Sequence, residues 1–413
     1  MKLISLFEAI GWGLEEVKPI EPVEFWSIMS GESGKGRFLA KEVIARRNSP
    51  PFSNGAMDGY IASTAGKCRL KGRILAGNRV DGINIEKGEC YYIATGAPIP
   101  SGGNFIAPWE KVEVEGEWVT IPPLKKGANI RKIGEEFQKG EILIPAGEEL
   151  TPATILTLAG QGITVVPVRQ KLRIALIPTG SELVEPFQAI KPFQIYNSNG
   201  YGIASLFRRQ GWDVTLFPPL SDDLNRIVQI LGEAIDRFDG VITIGGASGG
   251  EADFLRKGVE QLGGEWIFQG INLKPGKPTL LGIVKETPLL ILPGNLLSSY
   301  LNSWLIGIPL FRKLAGARKV LPLHLIGELG APFKANPSKE HLVLGNWDGE
   351  KFYPYGGYKY GSGMVTPLLH SNGVAVLPAG KGGGKIGDRL LIIPFDSPFV
   401  PIGESFLVRY SIE

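Results

Sequence analysis

A chain of 413 residues exceeds what one hydrophobic core holds, and roughly 100–200 residues per domain predicts two to four domains. Hydrophobic residues at 43% and charged residues at 21% exclude dominant disorder, while a formal charge of +3 without a long run of like charges excludes a broad nucleic-acid footprint. Cys68 and Cys90 form no CxxC pair and His324, His341 and His370 are scattered, so no zinc site is expected and a reduced, cytoplasmic setting is.

The N-terminus carries apolar residues at Leu3, Leu6, Phe7, Ile10, Leu14 and Val17, the period of an amphipathic helix and not of a signal peptide. No apolar run is long enough for a membrane span. From Lys41 to about Val168 the texture is short β segments broken by turns (RILAGNRV, CYYIATGA, WVTIPPL, EILIPAGEEL, GITVVPV), with a helix over Thr151–Gly160.

Between Lys171 and about Gly316 strands alternate with helices. LRIALIPTG reads as a strand, Gly200–Arg209 as a helix and DVTLFPPL as a strand. A helix opened by Ser221 follows, with Leu224, Ile227, Val228, Leu231, Ile235 and Phe238 on one face. GVITIGG, the helix EADFLRKGVEQLG, the strands PTLLGI and PLLILPG, and a long helix from about Leu296 complete the region. This alternation predicts a doubly wound α/β sheet with ligand loops at the strand C-termini. The tail from about Ala317 returns to β segments (LHLIGELGAPF, GVAVLP, RLLIIPF, SFLVRY) and reads as a small separate β domain.

The 56 glycines are about twice the usual ~7% share and come with 31 prolines, which places backbone-lined turns where the chemistry is expected. GGASGGEADF offers backbone amides around Gly246 and Ser248 for a phosphate, and Glu251 and Asp253 as carboxylates for Mg²⁺; an acid-capped helix start is the ordinary reading. LKPGKPT aims Lys274 and Lys277 at one locus, suited to a phosphate or a tetrahedral oxyanion; a solvated turn is the alternative. LPGNLLSS presents Gly294, Asn295 and Ser298 as donors to an anion at a helix start, where simple capping by Asn295 is also expected. Glu182 closes the PTGSEL strand end, and Asp222 and Asp223 read either as first-turn acids or as a metal pair. In the N-terminal half, Asp58 and Thr95 sit in dense turns, and GANIRKIGEEFQKGE adds Arg131, Glu135 and Glu136.

Taken in order, GRFLAKEVIARRNSPPFSNGAMDGY, ATGAPIP, NIRKIGEE, IALIPTGSEL, ITIGGASGGEADF, LKPGKP, LPGN and GSGM with LLHSNGVAVLPAG resemble the molybdopterin molybdenumtransferase family, relatives of the C-terminal part of gephyrin. The resemblance implies insertion of molybdate into the dithiolene of adenylylated molybdopterin with release of AMP, by a Mg²⁺-dependent, cytoplasmic homodimer that meets the molybdopterin adenylyltransferase and neither nucleic acid nor membrane. It implies a bipartite N-terminal dimerisation region over 1–170 with a β insertion at about 45–140, an α/β molybdopterin-binding domain over 171–316, and a C-terminal β domain over 317–413.

The same resemblance implies that Asp58, Thr95 and Glu136 of one subunit face the α/β domain of the other. The matching positions there are Glu182, Asp222 or Asp223, Asp253, Lys274, Lys277, Pro293, Asn295 and Ser298, with Ser362 from the tail near the oxyanion pocket. The chain departs from the family pattern in four places: Leu296 stands where Pro-Gly-Asn-Pro is usual, GGASGGEAD replaces a Val-Ser-Val-Gly pattern, Glu136 stands where Asp is commoner, and SKEHLVLGNWD lacks an arginine. Two other functions fit parts of the pattern. An adenylyltransferase of the same α/β superfamily shares the glycine loops but lacks the first 170 residues, and a pterin-binding or scaffold paralogue would need no catalysis.

Overall fold

The computed structural model describes residues 3–246 and 252–395, except for the side chains of residues 252 and 253. The chain divides into two compact units. The first is Met1–Lys41, Ala146–Ala153 and Val165–Glu413, and the second is Glu42–Pro145 and Thr154–Thr164. No helix among the described residues is long and apolar enough to cross a membrane.

The first unit holds a six-stranded sheet in the order Asp213–Leu216, Arg173–Pro178, Gly240–Ile244, Thr287–Leu292, Leu280–Val284, Glu265–Gln269. The first four strands are parallel, Leu280–Val284 runs antiparallel to them, and Glu265–Gln269, antiparallel to its neighbour, returns to their direction. Side chains of a strand alternate between faces, so Ile174, Leu176, Ile242 and Leu290 enter one core while Ala175, Ile177, Val241 and Leu289 enter the other. Burial on both faces explains why these strands read as continuous apolar runs. The helix Ser198–Arg208 packs Ile203 and Phe207 on the first face, and Leu224–Arg237 packs Ile227 and Leu231 on the second. Full burial of one such side chain stabilises by roughly 1.5–3 kcal/mol.

Two expected helices differ in detail. Asp223, not Ser221, caps the helix Leu224–Arg237, its carboxylate accepting the Arg226 amide at 2.8 Å. Ser221 instead lends its carbonyl to the Asp223 amide. The helix expected from Leu296 is interrupted: Leu296–Asn302 is α-helical, Ser303–Gly307 is one π turn, and Ile308–Leu314 resumes the α-helix. Such π turns re-aim side chains and are frequent beside functional sites.

The C-terminal strands close on themselves. Glu340–Trp347, Lys351–Pro354, Leu325–Leu329, Arg389–Pro394 and Gly373–Leu377 pair in that order, and the last returns to the first, giving a five-stranded barrel. Closure removes free sheet edges, and Leu329, Val343, Phe352, Leu377 and Ile392 fill the interior. Leu273–Lys274 adds to this sheet in parallel, so the LKPGKP segment is hydrogen-bonded to the barrel through Glu340–Trp347. The expected SFLVRY strand lies outside the described residues.

The second unit is a mixed sheet in the order Phe105–Pro108, Gly59–Ala62, Glu89–Ile93, Gly66–Ile74, Trp118–Ile121, Glu113–Glu115. Cys68 and Cys90 are buried in it as free thiols, and burial pushes the Cys90 thiol up to about 12. Neither is poised to react as a thiolate near neutral pH.

Candidate functional site

In the second unit, backbone pairing gathers three separate sequence segments. Asn54–Gly55 pairs with Ile130–Arg131, the Gly55 amide donates to Ala97 and the Gly96 amide donates back to Gly55. The segments PPFSNGAMDGY, ATGAPIP and NIRKIGEE therefore share one surface. Asp58 accepts from the Thr95 amide and hydroxyl, both at 2.7 Å, and from the Tyr92 hydroxyl at 3.4 Å. The Thr95 amide, then its hydroxyl, hold the exposed Asp58 carboxyl below the usual carboxylate range, so it stays an anion. Gly59 is required beside it, because a Cβ there would lie 2.1 Å from the Ala107 carbonyl oxygen of the paired strand. Glu136 is exposed and accepts from the Ser49 hydroxyl at 2.6 Å. Arg131 is occupied by Glu135 at 2.7 Å.

In the first unit, four loops leave the C-terminal ends of the parallel strands. Strand order reverses between Arg173–Pro178 and Gly240–Ile244, and the crevice outside such a reversal is where open α/β sheets bind ligands. At that point the backbones crowd. A Cβ on Gly245 would meet the Thr179 carbonyl at 2.4 Å, one on Gly246 would meet the Leu255 side chain at 2.7 Å, and one on Gly294 would lie 3.8 Å from the Gly245 Cα. Both Gly245 and Gly246 have positive φ, +98° and +62°, which glycine adopts without strain.

Asp222 is tied to the PTGSE loop, its carboxylate accepting from the Ser181 hydroxyl at 3.0 Å. Glu182 is exposed in the same loop and folds back over Gly180. Asp223 is the helix cap and not a first-turn acid, because the helix begins one residue later at Leu224. Ser248 and Glu251 lie outside the described residues, as does the Asp253 side chain, whose backbone belongs to the helix Ala252–Gln261.

Asn295 precedes the helix Leu296–Asn302 but makes no side-chain cap bond, contrary to the simple capping expectation. The first-turn amide of Leu297 is taken instead by the Ser362 carbonyl at 2.9 Å. That bond seats the GSGM turn of the tail against the PGN loop and leaves the Asn295 side chain exposed. Ser298 sits one residue inside, 2% exposed. Asn199, which the sequence reading missed, holds the loop from the other side by donating to the Gly294 carbonyl at 2.6 Å.

Lys274 and Lys277 are both exposed at the LKPGKP turn. Three groups hold the turn. Asn302, buried at the π turn, donates to the Gly276 carbonyl at 3.0 Å, as does the Thr279 hydroxyl at 3.0 Å, and the Lys277 carbonyl accepts from the Ile271 amide at 2.9 Å. Asn302 and Thr279 were absent from the expected set. Their signal was present in LLSSYLNSW, where Ser298, Ser299, Asn302 and Ser303 form a polar stripe on an otherwise apolar helix; all four are buried.

No described group of three or more His, Cys, Asp or Glu side chains could hold a metal unaided. Mg²⁺ needs less: one or two carboxylates, substrate phosphate oxygens and water would suffice, and while Glu251 and the Asp253 side chain lie outside the described residues, Glu182 and Asp222 stand on strand-end loops joined by the Ser181–Asp222 bond.

Comparison with known proteins places these loops in a family. Residues 4–162 match the MoeA N-terminal region (domain I and II), residues 175–313 the probable molybdopterin binding domain, and residues 327–395 the MoeA C-terminal region (domain IV). A molybdopterin molybdenumtransferase of Staphylococcus aureus (strain COL) is 30% identical over 384 residues, covering 89% of this chain and 90% of that protein. One from Staphylococcus epidermidis (strain ATCC 12228 / FDA PCI 1200) is 30% identical over 379 residues, covering 88% and 89%. Among solved structures, the molybdopterin biosynthesis moeA protein of Pyrococcus horikoshii OT3 superposes with a TM-score of 0.82 at 25% identity, covering 95% of this chain and 100% of that one. With three matched regions in order and identity sustained over nearly nine-tenths of both chains, this chain belongs to the molybdopterin molybdenumtransferase family.

Proposed function

We propose that this chain is the transferase that inserts molybdenum into molybdopterin, and that it does so on adenylylated molybdopterin with release of AMP. The observation that carries the reading is the crowding of the Thr179, Gly245 and Gly294 loops at the strand-order reversal, in a chain whose relatives are named for this transfer. A side chain is excluded at Gly245, and with glycine also at 246 and 294 the loops leave backbone amides open to a pyrophosphate.

Lys274 and Lys277 hold phosphate or molybdate oxygens, and Ser298, Asn295 and Ser362 add neutral donors and fix the PGN loop. Molybdate is a tetrahedral dianion and the substrate dithiolene supplies its sulfur ligands, so no protein cysteine is required, in keeping with the burial of Cys68 and Cys90. Mg²⁺, anchored by Asp253 and Glu251 and completed by Asp222 or Glu182, would offset charge developing on the cleaved pyrophosphate.

The working form in this reading is a cytoplasmic homodimer that receives substrate from the molybdopterin adenylyltransferase. Asp58, Thr95 and Glu136 of one protomer position the nucleotide end held by the α/β domain of the other. Because Asp58 is an anion oriented by Thr95 through Oδ1, it keeps acceptor capacity on Oδ2 for a hydroxyl, an amine or a metal-bound water, and repels phosphate.

The test is AMP release from adenylylated molybdopterin with Mg²⁺, with and without molybdate. The reading predicts release that depends on molybdate and falls in Asp253→Ala. Equal rates in that variant would remove Asp253 from the mechanism. Transfer of AMP from ATP onto molybdopterin without molybdate would instead indicate an adenylyltransferase.

A further inference from the structure

A cleft of about 860 Å³ opens in the C-terminal barrel and uses none of the residues assigned above. One wall is the strand pair Phe333–Lys334 with Gly383–Gly384. Its glycines are fixed by packing, since a Cβ on Gly383 would lie 2.1 Å from the Phe333 carbonyl and one on Gly384 would lie 2.3 Å from Leu329. The opposite wall is the turn Tyr355–Tyr358, where Gly356 and Gly357 take φ of +54° and +61° and nothing stands within 4 Å of where a Cβ would point. Bare peptide faces therefore line the space.

Tyr358 joins the two walls. Its ring meets Phe333 edge-on at 5.6 Å, and its hydroxyl is fixed by the buried His341 Nδ1 at 2.8 Å. Lys334, Lys359 and Lys385 stand at the cleft, and none has an ion-pair partner within 4 Å among the described residues. Asp388 is the one acid in the lining, and its carboxylate is turned to the Lys385 amide at 2.8 Å. Three lysines against one aspartate leave the lining at +2.

Three unpaired ammonium groups around one opening select an anion. The volume lies within the roughly 300–1,000 Å³ of sites for organic ligands and far exceeds what a lone tetrahedral oxyanion fills. The exposed peptide planes of Gly356 and Gly357 offer flat surfaces for a planar ring, beside a Tyr358 ring held by Phe333, His341 and Tyr360. The geometry points to a nucleotide site in the barrel, with phosphate oxygens on Lys334, Lys359 and Lys385 and the base against Gly356, Gly357 and Tyr358. Its lining residues are not those the transferase reading uses, although the Tyr358 hydroxyl also reaches the Lys274 carbonyl at 3.5 Å.

The test is calorimetric titration of the full chain with AMP, adenosine and inorganic phosphate. It is repeated for Lys359→Ala/Lys385→Ala, whose side chains are exposed, and for Lys277→Ala. The site predicts that AMP still binds Lys277→Ala, whose transferase site holds the released AMP less well, that adenosine and phosphate each bind that variant about tenfold more weakly or worse, and that the double variant loses about tenfold in AMP affinity at the barrel site. Its thermal melt and its molybdate-dependent turnover should match the wild type. Three results would overturn the proposal: no AMP binding by the wild type, AMP affinity unchanged in the double variant, or AMP affinity lost in Lys277→Ala. Phosphate binding as tightly as AMP would overturn the nucleotide assignment. Failure on any of these leaves the transferase reading untouched, because that reading stands or falls on Lys277 and Asp253 turnover.

Discussion

The two units present opposite chemistry by opposite means. In the second unit the candidate groups are acids and a hydroxyl, and strand pairing between distant segments brings them together; Asp58 is already oriented by Thr95. In the first unit the acids Glu182 and Asp222 share the strand-end loops with lysines, serines and backbone amides, and Gly245 and Gly246 pack closely there. An anionic surface repels phosphate and orders hydroxyl or metal-bound water, whereas a cationic, backbone-lined one attracts oxyanions. The reaction proposed above, on an adenylylated pterin and molybdate, calls on both.

The comparison breaks most severely at Gly59. Gly59→Ala places a Cβ against the Ala107 carbonyl, so the strand pair carrying Asp58 must part. We expect a loss of about 4 kcal/mol or more in denaturant unfolding of the second unit. Lys277→Ala should lower molybdate-dependent AMP release about 10²-fold without changing the melting temperature. An unchanged rate would remove the cationic half of the contrast. Asp58→Asn keeps shape and removes charge, and should reduce turnover by about tenfold with no loss of stability.

Smaller effects sharpen the distinction between structural and functional polar groups. Asp223→Ala removes a helix cap and should cost about 1 kcal/mol, whereas Asn295→Ala, which breaks no cap bond, should stay within about 0.5 kcal/mol. Equal costs in a urea titration would show that Asn295 caps after all. Smallest is the pH response of His341, whose imidazole burial holds below the ordinary 6.5. The unfolded chain binds that proton first, so stability is fully present above pH 6.5 and declines as pH falls through the folded value. His341→Gln should flatten that slope in thermal melts between pH 7 and 5.

Much of the architecture was legible because each core pattern had one cause. Sheet strands buried on both faces read as apolar runs, and the 3.6 spacing in LNRIVQILGEAIDR gave its helix. The collinear motifs gave the family, which the three matched regions bear out. What escaped was tertiary. Nothing local says that Ser362 replaces Asn295 at the Leu297 amide, since the two lie 67 residues apart in the chain, 362 − 295. Barrel closure depends on Gly373–Leu377 returning to Glu340–Trp347, a pairing that alternation predicts for no particular partner. Asn302 looked like a helix residue, and only the π turn after it explains its aim at Gly276.

The most direct test of the central claim pairs two damaged chains. Asp58→Ala impairs the anionic half and Lys277→Ala the cationic half, and each alone should be nearly inactive in molybdate-dependent AMP release. If one protomer's Asp58 serves its partner's Lys277, co-expression forms mixed dimers with one intact site, and activity should return to about a quarter of wild type. Co-expressed protein no more active than the separate variants, with a monomer mass by light scattering, would contradict the account.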